Sequence, residues 1–422
     1  MSEPTGRFHV VTLGCKLNQF DSAQSEAILR TRAMEPTDDP RLADVIVVNT
    51  CTVTGRADAE GRRLLRRMRR LNPRARIVAT GCYAERAPDE LRRVTPADAV
   101  VGHRDRARLP QALLGVDECV TAPLAPSLAD RSRGWLRVQE GCDLRCSYCV
   151  IPQVRGPGRS VPADEVVAQL RTFAERGVRE VGLTGVNVGA WGGDLTPRRR
   201  LADLLEAIVR ADVGLRIRLN SLEPRTVTDE ILALMREHPR VLVPHLQIPL
   251  QSGTDSVLAR MSRNYRTAFY RERILAAAAA VPDICLGADV ITGFPGETDA
   301  EHDATVRFLE SLPLAYLHVF SYSRRPGTRA AELPGQVAPH EIKRRTTRLR
   351  ALGARKGRAF RERLLGRTLD GLALHAHGPC GATRVLTGNY VEVLVPGAPC
   401  GEVVAVRLER LEDDLVVRGA LA

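Results

Sequence analysis

The sequence predicts an α/β chain of three modules: an open parallel α/β sheet domain, a partial (β/α)6 barrel, and a small all-β barrel. Three observations predict it. Short β-rich runs alternate with helix-period segments from residue 8 to about 110, and again from 134 to about 360. An aperiodic stretch at 115–134, with several prolines and serines, separates the two series. Beyond about 361 the helical period stops, and five short β-like stretches follow between glycines and polar turns. At 422 residues and 44% hydrophobic content the chain can build more than one core.

In the first module, 10–13, 45–48, 77–80 and 99–101 read as strands and 21–32 and 59–71 as helices. The second of these helices carries Leu64, Leu65, Met68 and Leu71 on one side. Strands separated by helices give a parallel sheet with crossover connections. In the second module, strands are expected at 135–139, 178–183, 215–219, 245–248, 285–291 and 315–320. Helices are expected at 166–175, 201–209, 229–235, 269–280 and 304–309. Six β/α units suit an open or partial barrel, with its chemistry in the loops at the carboxyl ends of the strands. The third module has strand-like runs at 368–374, 382–386, 390–394, 402–408 and 415–418.

The net charge of +12 is unevenly spread. Residues 321–360 hold eleven Arg and Lys against two Glu, and 62–76 hold eight Arg and no acid. Such concentrations suit a phosphate-backbone partner, although a solvated face reads the same way in sequence. The last module, with seven Arg and eight acids, does not advertise nucleic-acid binding by bulk charge. Ten cysteines in 422 residues fall far below disulfide-scaffold density. There is no apolar signal segment at the start and no run of eighteen apolar residues, so a cytoplasmic protein without a membrane partner is expected.

The cysteines carry the chemistry. Cys142, Cys146 and Cys149 lie in the loop Gly141-Cys-Asp-Leu-Arg-Cys-Ser-Tyr-Cys149. Three thiolates suit soft iron, and a four-iron cube held by three leaves one iron open to an exchangeable ligand. A structural zinc would need a fourth ligand, and Asp143 is a poor one. Cys15, Cys51 and Cys82 each follow an expected strand end. In an open parallel sheet those ends share one edge, so the three should converge. The alternative is three inert buried thiols. Cys119, Cys285, Cys380 and Cys400 have no such geometry, and Cys285 reads as core. Trp135 and Trp191 read as packing residues rather than base-stacking ones.

The segment from Cys142 to Cys149 resembles the CxxxCxxC signature of the radical S-adenosylmethionine (SAM) enzymes. The flanking Val150-Ile-Pro-Gln-Val-Arg-Gly156 and Arg159-Ser160 narrow the resemblance to the methylthiotransferases. Gly14-Cys-Lys-Leu-Asn-Gln19, Asn49-Thr-Cys-Thr-Val53 and Thr80-Gly-Cys-Tyr-Ala84 are similar to that family's amino-terminal cluster domain. Ser221-Leu-Glu-Pro224, Pro249-Leu-Gln-Ser-Gly253 and Gly293-Phe-Pro-Gly-Glu297 resemble further landmarks. The pattern is closest to the MtaB-type branch, which acts on N6-threonylcarbamoyladenosine in transfer RNA (tRNA). It runs in order over residues 8–350 and weakens over the last sixty.

That resemblance implies four segments: an auxiliary-cluster domain at 1–114, a linker at 115–133, a radical-SAM barrel at 134–360 and a TRAM-like β barrel at 361–422. It implies two 4Fe–4S clusters, a radical one on Cys142, Cys146 and Cys149 and an auxiliary one on Cys15, Cys51 and Cys82, and SAM as cofactor. Tyr148, Thr184, Gly185, Asn187, Ser221, Glu223, Gln251 and Asp289 are its candidates for the SAM pocket. Asn220 and Gln247 depart from the pattern, which usually has serine and histidine there. The implied reaction is insertion of a methylthio group at C2 of adenosine 37. One SAM would methylate the sulfur and a second would yield the 5′-deoxyadenosyl radical that takes hydrogen from C2. The implied partners are a tRNA anticodon stem-loop carrying threonylcarbamoyladenosine, an electron donor such as flavodoxin or ferredoxin, an iron–sulfur assembly system and a sulfur donor.

Rival readings within the same chemistry are a methylthiotransferase for isopentenyladenosine in tRNA or for a ribosomal protein aspartate. A rival of a different class is a non-catalytic iron–sulfur RNA-binding protein. The basic stretch at 321–360 is expected to hold the anticodon stem, with Arg324 and Arg325 among its contacts.

Overall fold

The computed structural model describes residues 5–115, 132–378 and 381–422. Almost all of the expected linker, with Cys119 and Cys380, lies outside the described residues. The chain divides into two compact units. One comprises residues 1–127, 140–158 and 323–331; the other comprises 128–139, 159–322 and 332–422.

In the first unit, β1 (Gly6–Thr12), β2 (Met34–Pro36), β3 (Val45–Thr50), β4 (Arg76–Gly81) and β5 (Ala99–Val101) form one sheet in the order β2-β1-β3-β4-β5. Every pairing is parallel. All six residues of β3 are buried, as a central strand covered on both faces requires. The order reverses direction between β1 and β3, and that switch point is where an open parallel sheet binds ligands. Helix α1 (Lys16–Arg30) leaves β1 directly. Helix α2 (Gly55–Leu71) follows β3, its first turn capped by the Thr54 hydroxyl, which accepts the Ala57 N–H at 3.1 Å. Leu65 and Met68 of α2 are buried and Leu64 packs against the same core, whereas Leu71, expected on that side, is exposed at the helix end. Helix α3 (Cys82–Arg86) begins where β4 stops.

In the second unit, β6 (Arg133–Arg137) starts the barrel. Two-residue strands β7 (Gln139–Glu140) and β8 (Arg159–Ser160) flank the cysteine loop. The series continues with β9 (Glu180–Thr184), β10 (Arg216–Leu219), β11 (His245–Gln247), β12 (Cys285–Thr292) and β13 (Tyr316–Ser321). Strands β6, β9 and β10 are parallel neighbours, as are β11, β12 and β13. A parallel bridge between Ile217 and Leu242 joins β10 to the segment entering β11. Six parallel strands in sequence order form the expected partial (β/α)6 barrel. Trp191 is core, its indole N–H donating to the Val161 carbonyl at 2.8 Å, and Cys285 is buried.

Strands β14 (Thr368–His377), β15 (Thr383–Thr387), β16 (Glu392–Val395), β17 (Val403–Leu411) and β18 (Val417–Leu421) close into a barrel in the order β14-β15-β16-β18-β17. It is tied to the larger barrel through a buried ion cluster. Arg218 donates to both oxygens of Glu180, at 2.9 and 3.1 Å, and to the Gly388 carbonyl at 2.9 Å. Burial alone would raise the Glu180 carboxyl, but Arg218 and Arg133, with Arg216 further off, hold it down at about 2.

Much of the basic excess is spent internally. In the helix Pro339–Glu362, Arg345 is buried against Glu297, while Arg344, Arg348 and Arg355 pair with Asp299, Asp303 and Glu310. Lys343 and Arg350 are exposed and unpaired among the described residues. No helix among the described residues is long and apolar enough to cross a membrane.

Candidate metal centres

Among the described residues, six cysteines belong to the first unit, on two separate frames. The distant trio is built by the sheet. Cys15 is the N-cap of α1, Cys51 follows β3, and Cys82 opens α3. Two glycines let these loops close. Gly14 has φ +107°, and a Cβ there would lie 2.9 Å from Cys51 Cβ. Gly81 has φ +94°, and a Cβ there would lie 2.3 Å from Asn49 Oδ1 and 2.4 Å from the Thr50 carbonyl. Asn18 stitches the loops together: its amide donates to the carbonyls of Leu13 at 2.7 Å and Thr50 at 3.2 Å. Its Oδ1 lies 3.9 Å from both Cys15 Sγ and Cys82 Sγ. The three sulfurs therefore converge at the switch point.

Burial pushes the Cys82 thiol up to about 12, against the opposing pull of the Arg155 guanidinium. Burial also raises Cys51, against the N–H of Val53 at its sulfur. Two buried thiols and the exposed Cys15 suit a metal group, whose positive charge removes the protons, better than they suit free nucleophiles. Among the described residues no three His, Cys, Asp or Glu close tightly enough to hold a single ion. A four-iron cube takes its cysteines on separate irons, so it needs wider spacing, and its chemistry fits this all-sulfur set.

The local trio, Cys142, Cys146 and Cys149, is half-buried on a braced loop. The Cys142 N–H donates to the Gly156 carbonyl at 3.0 Å, and the Cys149 N–H to the Cys146 carbonyl at 3.1 Å. The Ile151 N–H donates to Cys149 Sγ at 3.4 Å, a bond that favours thiolate. Asp143 accepts the Gly158 N–H at 3.2 Å, which makes it a loop brace. The segment 323–331 straps this loop. The Ala330 N–H donates to the Ser147 carbonyl at 2.8 Å, and the Gln153 amide to the Gly327 carbonyl at 2.7 Å. Tyr148 is half-buried within the loop.

Buried charge ties the two frames. Arg155, six residues past Cys149, donates to Glu140 at 3.0 Å, Asp21 at 2.9 Å and Asn18 at 2.8 Å. A second cluster backs Cys51. Arg325 donates to Asp58 at 2.5 Å and to Thr52 at 2.9 Å, and Arg86 bonds the same two residues. This corrects the expectation for Arg325: it is 3% exposed and spent on Asp58, while Arg324 is exposed. An arginine in a basic run reads as surface in sequence because its carboxylate partner lies far away along the chain.

The remaining candidates lie in the second unit, at or near the carboxyl ends of β9 to β12. Thr184 ends β9 and is buried. Gly185 has no room for a side chain, since a Cβ would lie 2.7 Å from the Gln139 carbonyl. The Asn187 N–H donates to Gln139 Oε1 at 2.9 Å, while Asn187 Oδ1 is buried with no hydrogen-bond partner among the described residues. Ser221 after β10 and Gln251 after β11 hold φ of +56° and +69°, strained for residues with side chains. Glu223 is paired with Arg263, and burial raises its carboxyl against that pairing. Asp289 lies inside β12, where Gln247 donates to both its oxygens at 2.7 and 2.9 Å and His318 Nδ1 stands at 3.2 Å. Asn220 donates to the Leu183 carbonyl at 3.1 Å, so it braces β9 against β10. An unsatisfied acceptor, a side-chain-free approach and two strained loop ends on neighbouring strands fit a polar small-molecule cofactor.

Sequence reasoning gave no role to Asn18, Gln139, Arg155 or His103. His103 was open to discovery by the rule that found the cysteines, because it follows β5 at the same sheet edge.

Two family models match the chain: the radical SAM superfamily over residues 136–309, and the uncharacterized protein family UPF0004 over 7–102. The threonylcarbamoyladenosine tRNA methylthiotransferase MtaB of Bacillus subtilis is 34% identical over 424 residues, covering 96% of this chain and 93% of its own. The protein of the same name from Thermotoga maritima is 32% identical, covering 97% and 95%. Among solved structures, the radical SAM methyltransferase TsrM of Kitasatospora setae, with cobalamin and a 4Fe–4S cluster bound, superposes with a TM-score of 0.57. It shares 15% identity over 77% of this chain and 76% of its own, a likeness of fold alone.

Proposed function

The chain belongs to the MtaB-type branch of the radical SAM methylthiotransferases, and from that membership we propose that it inserts a methylthio group at C2 of threonylcarbamoyl-modified adenosine 37 in tRNA. The observation that carries the reading is the pair of cysteine trios in one compact unit, one trio on a braced loop and one at the sheet's switch point. We assign Cys142, Cys146 and Cys149 to a radical cluster and Cys15, Cys51 and Cys82 to an auxiliary cluster. The four-segment division at 114, 133 and 360 is part of the same proposal.

Bound there, the clusters and SAM supply the electron, the radical source and the sulfur site that hydrogen removal from an aromatic carbon requires. The chain's own residues hold that chemistry in place. Asn18 and the two glycines set the distance between the Cys15, Cys51 and Cys82 loops. Ile151 keeps an N–H on Cys149 sulfur, and the 323–331 strap fixes the loop around it. Asn187 offers an acceptor, Gln247 and His318 keep Asp289 oriented, and Arg263 keeps Glu223 in place. We assign Asn187, Asp289 and Glu223, with Tyr148, Thr184, Gly185, Ser221 and Gln251, to SAM binding. The partners are the modified anticodon stem-loop, a flavodoxin- or ferredoxin-type donor, an iron–sulfur assembly system and a sulfur donor, and the compartment is the cytoplasm.

Reductive cleavage of SAM by the reconstituted protein tests the division of labour. Cys142→Ala should abolish 5′-deoxyadenosine formation. Cys51→Ala should retain it and lose methylthio product. Equal loss of cleavage in both variants would refute separate roles, and no cleavage by the parent protein would favour a non-catalytic RNA-binding protein.

A further inference from the structure

His103 follows β5 at the same sheet edge as the auxiliary trio, with Nε2 3.5 Å from Cys82 Sγ. Its other nitrogen decides what it can do. Arg106 Nη2 lies 2.9 Å from His103 Nδ1. A guanidinium has only donors, so Nδ1 must accept, and in the neutral ring the single proton sits on Nε2. That proton faces Cys82 sulfur. Arg106 is itself fixed, donating to Asp21 Oδ1 at 3.0 Å with Glu140 Oε1 at 3.5 Å. Asp21 and Glu140 are the two acids that also hold Arg155. The imidazole's orientation is therefore set by a network reaching from the sheet edge to the residues just before Cys142.

We propose that His103 donates an N–H to the Cys82 thiolate and thereby raises the reduction potential of the auxiliary cluster, rather than ligating it. This rests on the assignment of Cys15, Cys51 and Cys82 as cluster ligands. A donor to a ligand sulfur stabilises the more electron-rich, reduced cluster more than the oxidised one. With its proton on Nε2, the imidazole has no free lone pair on the side that faces Cys82, so it would act as a donor to that sulfur and would not be an iron ligand. His103 is a positioning residue, and Arg106 holds its tautomer.

The test uses the full chain with Cys142, Cys146 and Cys149 all changed to alanine, reconstituted anaerobically with iron and sulfide so that only the auxiliary site can load. No SAM or tRNA is needed. His103→Phe should keep the iron content and move the midpoint potential to more negative values in an EPR-monitored titration. Arg106→Lys, which keeps a donor at Nδ1, should retain the parent potential. Pulsed EPR of the reduced parent cluster should show a weak nitrogen-14 coupling together with an exchangeable proton near the cluster. That measurement stands even if His103→Phe fails to fold. A strong coupling of directly bound nitrogen, or an unchanged potential in a fully loaded His103→Phe, overturns the proposal. Failure of the triple-alanine chain to take up iron would overturn the ligand assignment as well; loading without the potential shift would overturn this inference alone.

Discussion

Replacing Arg155 with methionine removes the cation on which Asp21, Glu140 and Asn18 converge. Its side chain is 1% exposed, and its two carboxylate partners are 8% and 11% exposed. Breaking a buried pair costs about 3–5 kcal/mol, because the surviving charge is left without compensation. Arg106 still stands 3.0 Å from Asp21 and 3.5 Å from Glu140, and it is 30% exposed, so the lower end applies, about 3 kcal/mol. For a unit of this size that is a fall of roughly 6–12 °C in the midpoint of its thermal transition. Calorimetry on the full-length protein, following the transition of the first unit apart from the second, reads it directly. Arg155→Lys should recover only part of the loss, since one ammonium cannot span three acceptors as the fork does. A fall of less than about 1 kcal/mol for the methionine variant would refute the reasoning, because it would mean the two acids are solvated or neutral without Arg155.

Other outcomes follow from the same structure. Glu180→Gln should destabilise the second unit by about 3–5 kcal/mol in urea unfolding, because Arg133, Arg216 and Arg218 lose their shared counter-charge. His302 is pulled down to about 4 by burial, with Arg345 and Arg348 adding to it. The unfolded chain therefore takes the proton first: the contribution is complete above pH 6.5 and is lost as pH falls from there towards 4. This loss, on the order of 3 kcal/mol, should vanish from the urea midpoints of His302→Leu. Gly81→Ala should lose auxiliary-site iron while Cys142-loop iron stays, measured by iron content in the two single-site backgrounds. Arg324→Gln should lower the salt dependence of tRNA binding, whereas Arg325→Gln should act on stability; equal effects of both on the salt slope would contradict the burial of Arg325.

The strands were legible because their apolar runs are continuous, Cys15, Cys51 and Cys82 because each follows a run, and Cys142, Cys146 and Cys149 because of their close spacing. The start of α1 was not. Its inner face mixes Leu17 and Phe20 with buried Asn18, Asp21, Ser22 and Ser25, so polar residues interrupt the apolar period until Ala27, Ile28 and Leu29. The destination of charge was equally hidden. Arg325 meets Asp58 and Arg155 meets Asp21 across sequence separations no local pattern reports. Asp289 falls within the strand expected at 285–291, but the Gln247 and His318 partners that orient it come from adjacent strands. The residues that hold the site were thus visible as types and invisible as contacts.

The central claim is the reaction on threonylcarbamoyladenosine, and nucleoside mass spectrometry of tRNA from a strain lacking this chain tests it most directly. The methylthio form of threonylcarbamoyladenosine should disappear, with the unmodified parent nucleoside rising in its place, and return when the intact gene is restored. An unchanged level of that methylthio nucleoside, or loss confined to the isopentenyl series, would contradict the account.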